Sequence, residues 1–369
     1  PTLTPPPLRR GRTPRKDTAR RRECAKGRPN TNQSDAEANN GSPIKKRHRT
    51  HYIYSSTVLK QKRIMYALQN ENLRLEVSAR GAEIQSLVDR NSGREIIWQG
   101  DAAYWNGRSP ILFPITGGLW DGTCRLDGRS YQIPKHGFVR RREWKLVEQG
   151  ADFLHLAVEN TDEELQQFPW PYRLEVVYTL RGRSLRADLR VVNRSLHSSM
   201  WFQVGAHPAL NLPDWTDHGQ HVAGFLRFEG TPRDMLRAGR QGCVEPGRVP
   251  IPWSKNLQTL AALAFHQMGN ALVPIEVSTF ANEALIFDGR QVEAVEVLDR
   301  KRRRFARVAS SAPVWLVWQP AGRHAPFVCV EPWYGLPDPV DFAGEMPQRP
   351  EIQRAAPRET WEGWWTLEV

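Results

Sequence analysis

Three short segments place an ionisable side chain among glycine, proline and aromatic residues: Pro134-Lys135-His136-Gly137-Phe138, Val204-Gly205-Ala206-His207-Pro208-Ala209-Leu210 and Phe327-Val328-Cys329-Val330-Glu331-Pro332-Trp333-Tyr334-Gly335. Imidazoles and a carboxyl group in an apolar setting can exchange protons near neutral pH, so His136, His207 and Glu331 are candidates for acid–base work. Each alone also has a structural reading. A histidine in an apolar stretch is commonly a hydrogen-bonded core residue, and a glutamate before proline can cap a turn. Their joint occurrence, each at a strand end where loops carry function, is the stronger signal.

Other chemistries find less support. No GxGxxG follows a strand, and Gly117-Gly118-Leu119-Trp120-Asp121-Gly122 lacks the lysine of a phosphate-binding loop. Four cysteines, Cys24, Cys124, Cys243 and Cys329, are widely spaced with no CxxC pair, which excludes a disulfide scaffold and a cysteine zinc site and suits reduced thiols in a cytoplasmic protein. His218 and His221 have HxxH spacing, but Asp217, Gly219 and Gln220 around them suggest an exposed loop without further ligands. No metal is expected.

The elements that must hold these residues read as strands. Leu73, Leu75 and Val77 alternate with Arg74, Glu76 and Ser78, and Ile97-Trp98 closes another run. Leu126-Asp127-Gly128-Arg129 carries the Asp-Gly pair of a tight hairpin. Two more hairpins are expected, one turning at Gln149-Gly150 and one at Arg181-Gly182-Arg183 between Val176–Leu180 and the alternating Leu185, Ala187, Leu189 and Val191. Val292–Leu298 and Phe305–Ala309 flank the basic run Arg300–Arg304, expected to be a solvated turn, and Trp361–Val369 reads as a final strand. Helical signals are scarce, with Trp253–His266 the best candidate. Short strands with glycine turns argue for an antiparallel, all-β sandwich or barrel.

The chain divides near Met65. Of 369 residues, the first 64 hold 17 Lys and Arg against 4 Asp and Glu, whereas the rest hold 35 against 36, so the net charge of +12 lies wholly in the first segment. All 14 Trp and 13 Phe follow residue 64. The segment 1–64, with Pro5-Pro6-Pro7, Arg20-Arg21-Arg22 and Lys45-Lys46-Arg47, has too little to bury and is expected to be a disordered basic arm. It could contact nucleic acid, serve as a targeting segment, or be translated upstream sequence, since the first methionine is Met65. No apolar stretch approaches the ~20 residues of a membrane span, the longest resembling Val314-Trp315-Leu316-Val317-Trp318.

Residues 65–369 resemble the aldose 1-epimerase, or galactose mutarotase, family, and most of all its LacX-like branch. The resemblance rests on Arg108-Ser109-Pro110-Ile111-Leu112-Phe113-Pro114, His136-Gly137-Phe138, Phe168-Pro169-Trp170-Pro171-Tyr172, Gly205-Ala206-His207-Pro208, Ala284-Leu285-Ile286-Phe287-Asp288 and Cys329-Val330-Glu331-Pro332-Trp333-Tyr334-Gly335, in the family's order. It implies a single domain forming a large antiparallel β-supersandwich, and interconversion of the anomers of a hexose without a cofactor. By the same resemblance Glu331 would be the base for the C1 hydroxyl, His207 the acid for the ring oxygen, and His136 a hydrogen-bonding partner at the reacting end.

The resemblance also implies a basic side chain on the sugar hydroxyls, for which Arg108 is the candidate, and an acidic one on distal hydroxyls, either Glu283 or Asp288. Gly118 stands where relatives can carry arginine, which puts one contact in doubt. Trp105, Trp201 and Trp333 are candidates for stacking on a sugar face. Two other functions fit the same fold: a carbohydrate-binding protein without turnover, and an epimerase of hexose 6-phosphates. The second needs a basic cluster at the pocket mouth, and Arg140-Arg141-Arg142 is the run to locate. Nucleic-acid binding would fall to the arm alone.

Overall fold

Side chains that alternate between apolar and polar force a strand to show one face to a core and the other to water. Tyr172–Arg181 does this, burying Tyr172, Leu174, Val176, Tyr178 and Leu180. It pairs antiparallel with Ser184–Asn193, from Tyr172 opposite Asn193 to Arg181 opposite Ser184. The computed structural model describes residues 64–218, 221–253 and 271–369, and these belong to one compact unit. The helical candidate Trp253–His266 lies almost wholly outside the described residues, as does the arm.

The chain has an all-β architecture of antiparallel sheets. Among the described residues, a nine-stranded sheet runs in the order Val273–Pro274, Phe225–Gly230, Val292–Leu298, Arg304–Ser310, Thr360–Glu368, Ser184–Asn193, Tyr172–Arg181, Phe153–Glu159 and Lys145–Gln149. The expected final strand is thus central rather than an edge, pairing on both sides. An eight-stranded sheet runs Val244–Val249, Met235–Ala238, Ala284–Phe287, Val314–Trp318, Phe327–Tyr334, Val204–Ala206 and Ile111–Leu112, with Ala209–Asn211 also paired to Phe327–Tyr334. A four-stranded sheet begins at Met65. The expected hairpin at Asp127-Gly128 forms, with φ of 49° and 71° at its two turn positions.

The two large sheets differ in how they are covered. Phe327–Tyr334 is buried at every position and Val314–Trp318 at all but the last, so both faces of this sheet are shielded. One face carries Val328, Val330, Trp315, Val317, Leu285 and Phe287 into the main core, beside Leu174 and Val176 of the nine-stranded sheet. By the two-residue period the other face must carry Glu331, Trp333, Leu316, Trp318, Ala284 and Ile286. All six line one cavity.

The basic run after Val292–Leu298 is tied down, as a turn should be: Asp299 accepts from the Lys301 and Arg303 N–H groups and pairs with Arg303 at 2.6 Å, and Arg304 pairs with Glu296 at 3.6 Å.

Candidate functional site

The cavity measures about 290 Å³, close to the lower bound of ~300 Å³ for small-molecule pockets, so it has room for one small ligand. Glu331 enters it from the middle of a fully buried strand and is 1% exposed. Val204–Ala206 pairs with Phe327–Tyr334 by setting Gly205 opposite Trp333. A β-carbon on Gly205 would lie 2.7 Å from the Trp333 ring, so only glycine lets the two strands close. His207 follows on the same face, and its Nε2 stands 3.2 Å from Glu331 Oε2.

That contact lacks hydrogen-bond geometry: Glu331 Oε2 and His207 Nδ1 are both buried with no hydrogen-bond partner. Trp105 stacks on the His207 ring at 4.8 Å and 22° and fixes its plane. His136 sits across the cavity, 5.7 Å from the His207 ring and 5.6 Å from Trp333. It occupies a left-handed turn with φ of 64°, held by reciprocal bonds: its N–H donates to the Gly117 carbonyl at 2.8 Å and the Gly117 N–H donates to its Nδ1 at 3.1 Å. Because Nδ1 accepts, neutral His136 must carry its proton on Nε2, which makes it a hydrogen-bond donor.

Burial dominates the electrostatics. It raises the Glu331 carboxyl well above the usual carboxylate range, and the Lys135 ammonium only partly opposes this. Burial pushes His207 down to about 3, with Lys135 and Arg140 adding to the shift, and lowers His136 likewise with help from His207, Lys135 and Arg140. Burial therefore favours a neutral acid beside a neutral imidazole, with one titratable proton between them. The Cys329 thiol, on the same face, is raised by burial and by Glu331 and stays protonated. Among the described residues, His207, Cys329 and Glu331 are the group whose ligand atoms cluster tightly enough to hold a metal ion, within 4.8 Å. His218 and His221 are in no such group.

The cavity brings together His136, His207, Glu331, Trp333, Trp105 and Glu283. It does not include Arg108, Asp288 or Trp201. The Arg108 guanidinium donates to the Gln85 side chain at 2.7 Å and the Gln99 carbonyl at 2.8 Å, which holds it away from the cavity. Asp288 is clamped by both terminal nitrogens of Arg248, at 2.6 and 2.8 Å. Trp201 lies under the Arg354 guanidinium. Of the two acidic candidates only Glu283 faces the cavity, because the strand Ala284–Phe287 separates them.

Among the described residues the basic groups lining the cavity are Lys135 and Arg140. Arg140 belongs to the run singled out from the sequence, whereas Lys135 was not selected, although its place next to His136 was the available signal. Arg141 and Arg142 do not line the cavity, and Arg142 is paired with Glu164. Gly118 has a backbone reason: a β-carbon there would lie 2.1 Å from the Gln241 carbonyl oxygen, so no arginine can stand at that position. A larger groove of about 450 Å³, between Arg94 and Phe305, is lined by charges already engaged, among them Asp299 with Arg303 and Glu95 with the Leu87 and Ile97 N–H groups.

Residues 65–348 match the family model for aldose 1-epimerase. The chain is 28% identical over 299 residues to the chromosomal protein LacX of Lactococcus lactis, covering 79% of this chain and 95% of that one. Among solved structures, a galactose mutarotase-like protein from Lactobacillus casei superposes with a TM-score of 0.74 at 24% identity, covering 83% of this chain and 99% of that chain. A galactose mutarotase related enzyme from Lactobacillus acidophilus superposes at 0.71 and 23%, covering 83% and 97%. No helix among the described residues is long and apolar enough to cross a membrane.

Proposed function

Because the chain belongs to the aldose 1-epimerase family, we propose that it interconverts the α and β anomers of an aldose, with Glu331 as base and His207 as acid. The observation that carries this reading is a buried carboxyl and imidazole, 3.2 Å apart in one cavity, with polar atoms left unpartnered. The anomeric and ring oxygens of a cyclic aldose share one carbon. The groups that serve them must therefore stand within a few ångströms of each other, as these do.

Ring opening needs the Glu331 carboxylate to take the C1 hydroxyl proton while the His207 imidazolium donates to the ring oxygen, so that the C1–O5 bond breaks and an aldehyde forms. After rotation about C1–C2, O5 attacks the opposite face of the carbonyl. His207 recovers its proton from O5 and Glu331 returns one to O1, leaving the enzyme unchanged. The working pair differs from the resting neutral pair only in the position of one proton. Sugar hydroxyls entering the cavity supply the hydrogen bonds that burial removed, which favours the charged form. His136, with its proton on Nε2, donates to the reacting oxygen, and Trp333 offers a ring for the sugar face.

The test is polarimetry on freshly dissolved α-glucose and α-galactose. Glu331→Gln and His207→Asn should each lower the enzymatic rate by roughly 10² to 10⁴. Variants that equilibrate the anomers as fast as the parent would overturn the assignment. Saturable sugar binding by the parent with no rate above the spontaneous background would make the protein a carbohydrate binder instead.

A further inference from the structure

Three side chains that can each donate a lone pair meet beside the cavity, and two of them come from one strand. Cys329 and Glu331 are two residues apart on Phe327–Tyr334, so they project from the same face. The segments paired with that strand set Gly205 opposite Trp333 and Ala209 opposite Cys329, and the same register puts His207 opposite Glu331. The Val330 N–H donates to the Pro208 carbonyl at 3.0 Å, which locks this register beside the histidine. A thiol, an imidazole and a carboxyl are thereby assembled with their ligand atoms all within 4.8 Å of one another, each side chain buried. No motif along the chain announces the set, because its members come from different segments. Around Cys329 stand Trp98, Ala209, Ala325 and Phe327, with Trp105 and Trp318 packed against them, so polar ligands sit inside an apolar shell, as they do at metal sites. A second observation points the same way: Glu331, 1% exposed, leaves Oε2 without a hydrogen-bond partner, and His207, 7% exposed, leaves Nδ1 without one.

We propose that Cys329, His207 and Glu331 form a binding site for a zinc ion, and that zinc held there blocks the sugar site. The site itself stands apart from the mutarotase reading, and only the block on turnover rests on it. Thiolate sulfur, imidazole nitrogen and carboxylate oxygen are the three ligand types that zinc takes, whereas magnesium and calcium take oxygen. A divalent ion with one thiolate, one carboxylate and a neutral imidazole sums to zero charge, which suits a buried site. On binding, the thiol and the carboxyl release their protons to solvent, and His207 coordinates through a nitrogen lone pair. Ligands about 2.0 to 2.3 Å from a tetrahedral ion stand about 3.3 to 3.7 Å from each other. His207 Nε2 and Glu331 Oε2, 3.2 Å apart, already have close to this separation, and the thiol has to approach by no more than about an ångström. Three protein ligands leave a fourth position for water on the side of the cavity that His207 and Glu331 line. Lys135, on the same cavity, repels a cation, so the ion needs all three ligands to stay. With their lone pairs on the metal, Glu331 cannot take the C1 proton and His207 cannot carry one to the ring oxygen.

The experiment adds zinc chloride or magnesium chloride to the full chain during polarimetry on α-glucose, read as the ratio of rates with and without the metal. Zinc should slow mutarotation, mainly by raising KM as ion and sugar compete, and a chelator should restore the rate. Magnesium should leave it unchanged. In Cys329→Ala the zinc concentration for half inhibition should rise at least about 10- to 100-fold, the loss caused by changing even a residue that only supports a ligand. Cys329→Ser, closer in size to the parent residue, serves where the alanine variant fails to fold. Cobalt(II) in place of zinc gives a second readout, a thiolate-to-metal absorption band in the parent that is absent from Cys329→Ala. Zinc inhibition of Cys329→Ala at the parent's concentrations would overturn the proposal. Calorimetry with zinc separates the two readings. One equivalent of zinc bound by the parent and lost in both Cys329→Ala and Glu331→Gln upholds the site, and a parent that binds this ion without turning over glucose would sink the mutarotase reading alone. Zinc bound equally by all three proteins, or by none, would sink the site.

Discussion

Among the described residues, two pairs of ion-pairing partners are buried on both sides, Arg349 with Asp338 and His207 with Glu331, and the two pairs are opposite in character. Arg349 and Asp338 are sealed from solvent and complete: the guanidinium meets the carboxylate at 2.7 and 3.3 Å and also donates to the Thr123 carbonyl, while Asp338 accepts from the Trp120 N–H at 3.0 Å. His207 and Glu331 are as deeply buried, yet they touch at 3.2 Å without hydrogen-bond geometry and keep unpartnered atoms. Burial is common to both, and completeness separates them. A satisfied buried pair holds segments together, whereas an unsatisfied one is finished only when a ligand arrives. The two are also connected: the Asp338 N–H donates to the Gly118 carbonyl, next to the Gly117 peptide that fixes His136. The satisfied pair thus braces the turn that faces the unsatisfied one.

The comparison breaks most sharply at Asp338. Asp338→Ala strands a buried guanidinium and should cost about 3–5 kcal/mol of stability, read as a fall in Tm of roughly 10 °C. An unchanged Tm would mean that this pair holds nothing together. At Glu331 the sign reverses. Glu331→Gln removes a carboxyl that must give up its ionised form to fold, so Tm at neutral pH should rise by a few degrees even as the enzymatic rate collapses. A fall in Tm equal to that of Asp338→Ala would erase the distinction.

Much of the fold was legible before the structure. Leu174, Val176 and Tyr178 alternate visibly, and Asp127-Gly128 announces its turn. His136, His207 and Glu331 stood out for their setting, and the family resemblance gave them roles. What the sequence could not show was where the long side chains go. Arg108 lies in a family motif and has the right charge, but Gln85 and Gln99 engage its guanidinium. Asp288 and Glu283 are equivalent as sequence, and Arg248, distant in the chain, decides between them. Gly118 reads as a missing contact until the Gln241 backbone is seen crossing it. Lys135 and Arg140 depend on a left-handed turn at His136 that sends both towards the cavity. These outcomes rest on partners far apart in sequence, which periodicity does not report.

The smallest effect concerns pH, and it follows from counting protons. In the unfolded chain Glu331 has its ordinary value of 4.5 and His207 its ordinary 6.5. Between those values the unfolded pair binds one proton, on histidine, and the folded pair also binds one, on glutamate, so stability does not change with pH there. Above 6.5 the unfolded pair binds none while the folded pair keeps its proton, so stability falls as pH rises towards the raised value of Glu331. Below 4.5 the unfolded pair binds two against one, and stability falls as pH falls towards the depressed value of His207. The pair thus contributes a dome centred between the two values, each limb sloping by about 1.4 kcal/mol per pH unit. Glu331→Gln leaves His207 alone, which in the unfolded chain binds a proton below 6.5 that the fold excludes, so the variant's stability rises with pH up to 6.5 and is level above it. Thermal melts of parent and variant should therefore run parallel below 4.5 and separate progressively above 4.5, with the variant gaining on the parent as pH rises. Parallel curves throughout would mean that Glu331 is ionised in the resting fold, and the contrast with the Arg349–Asp338 pair would then rest on geometry alone.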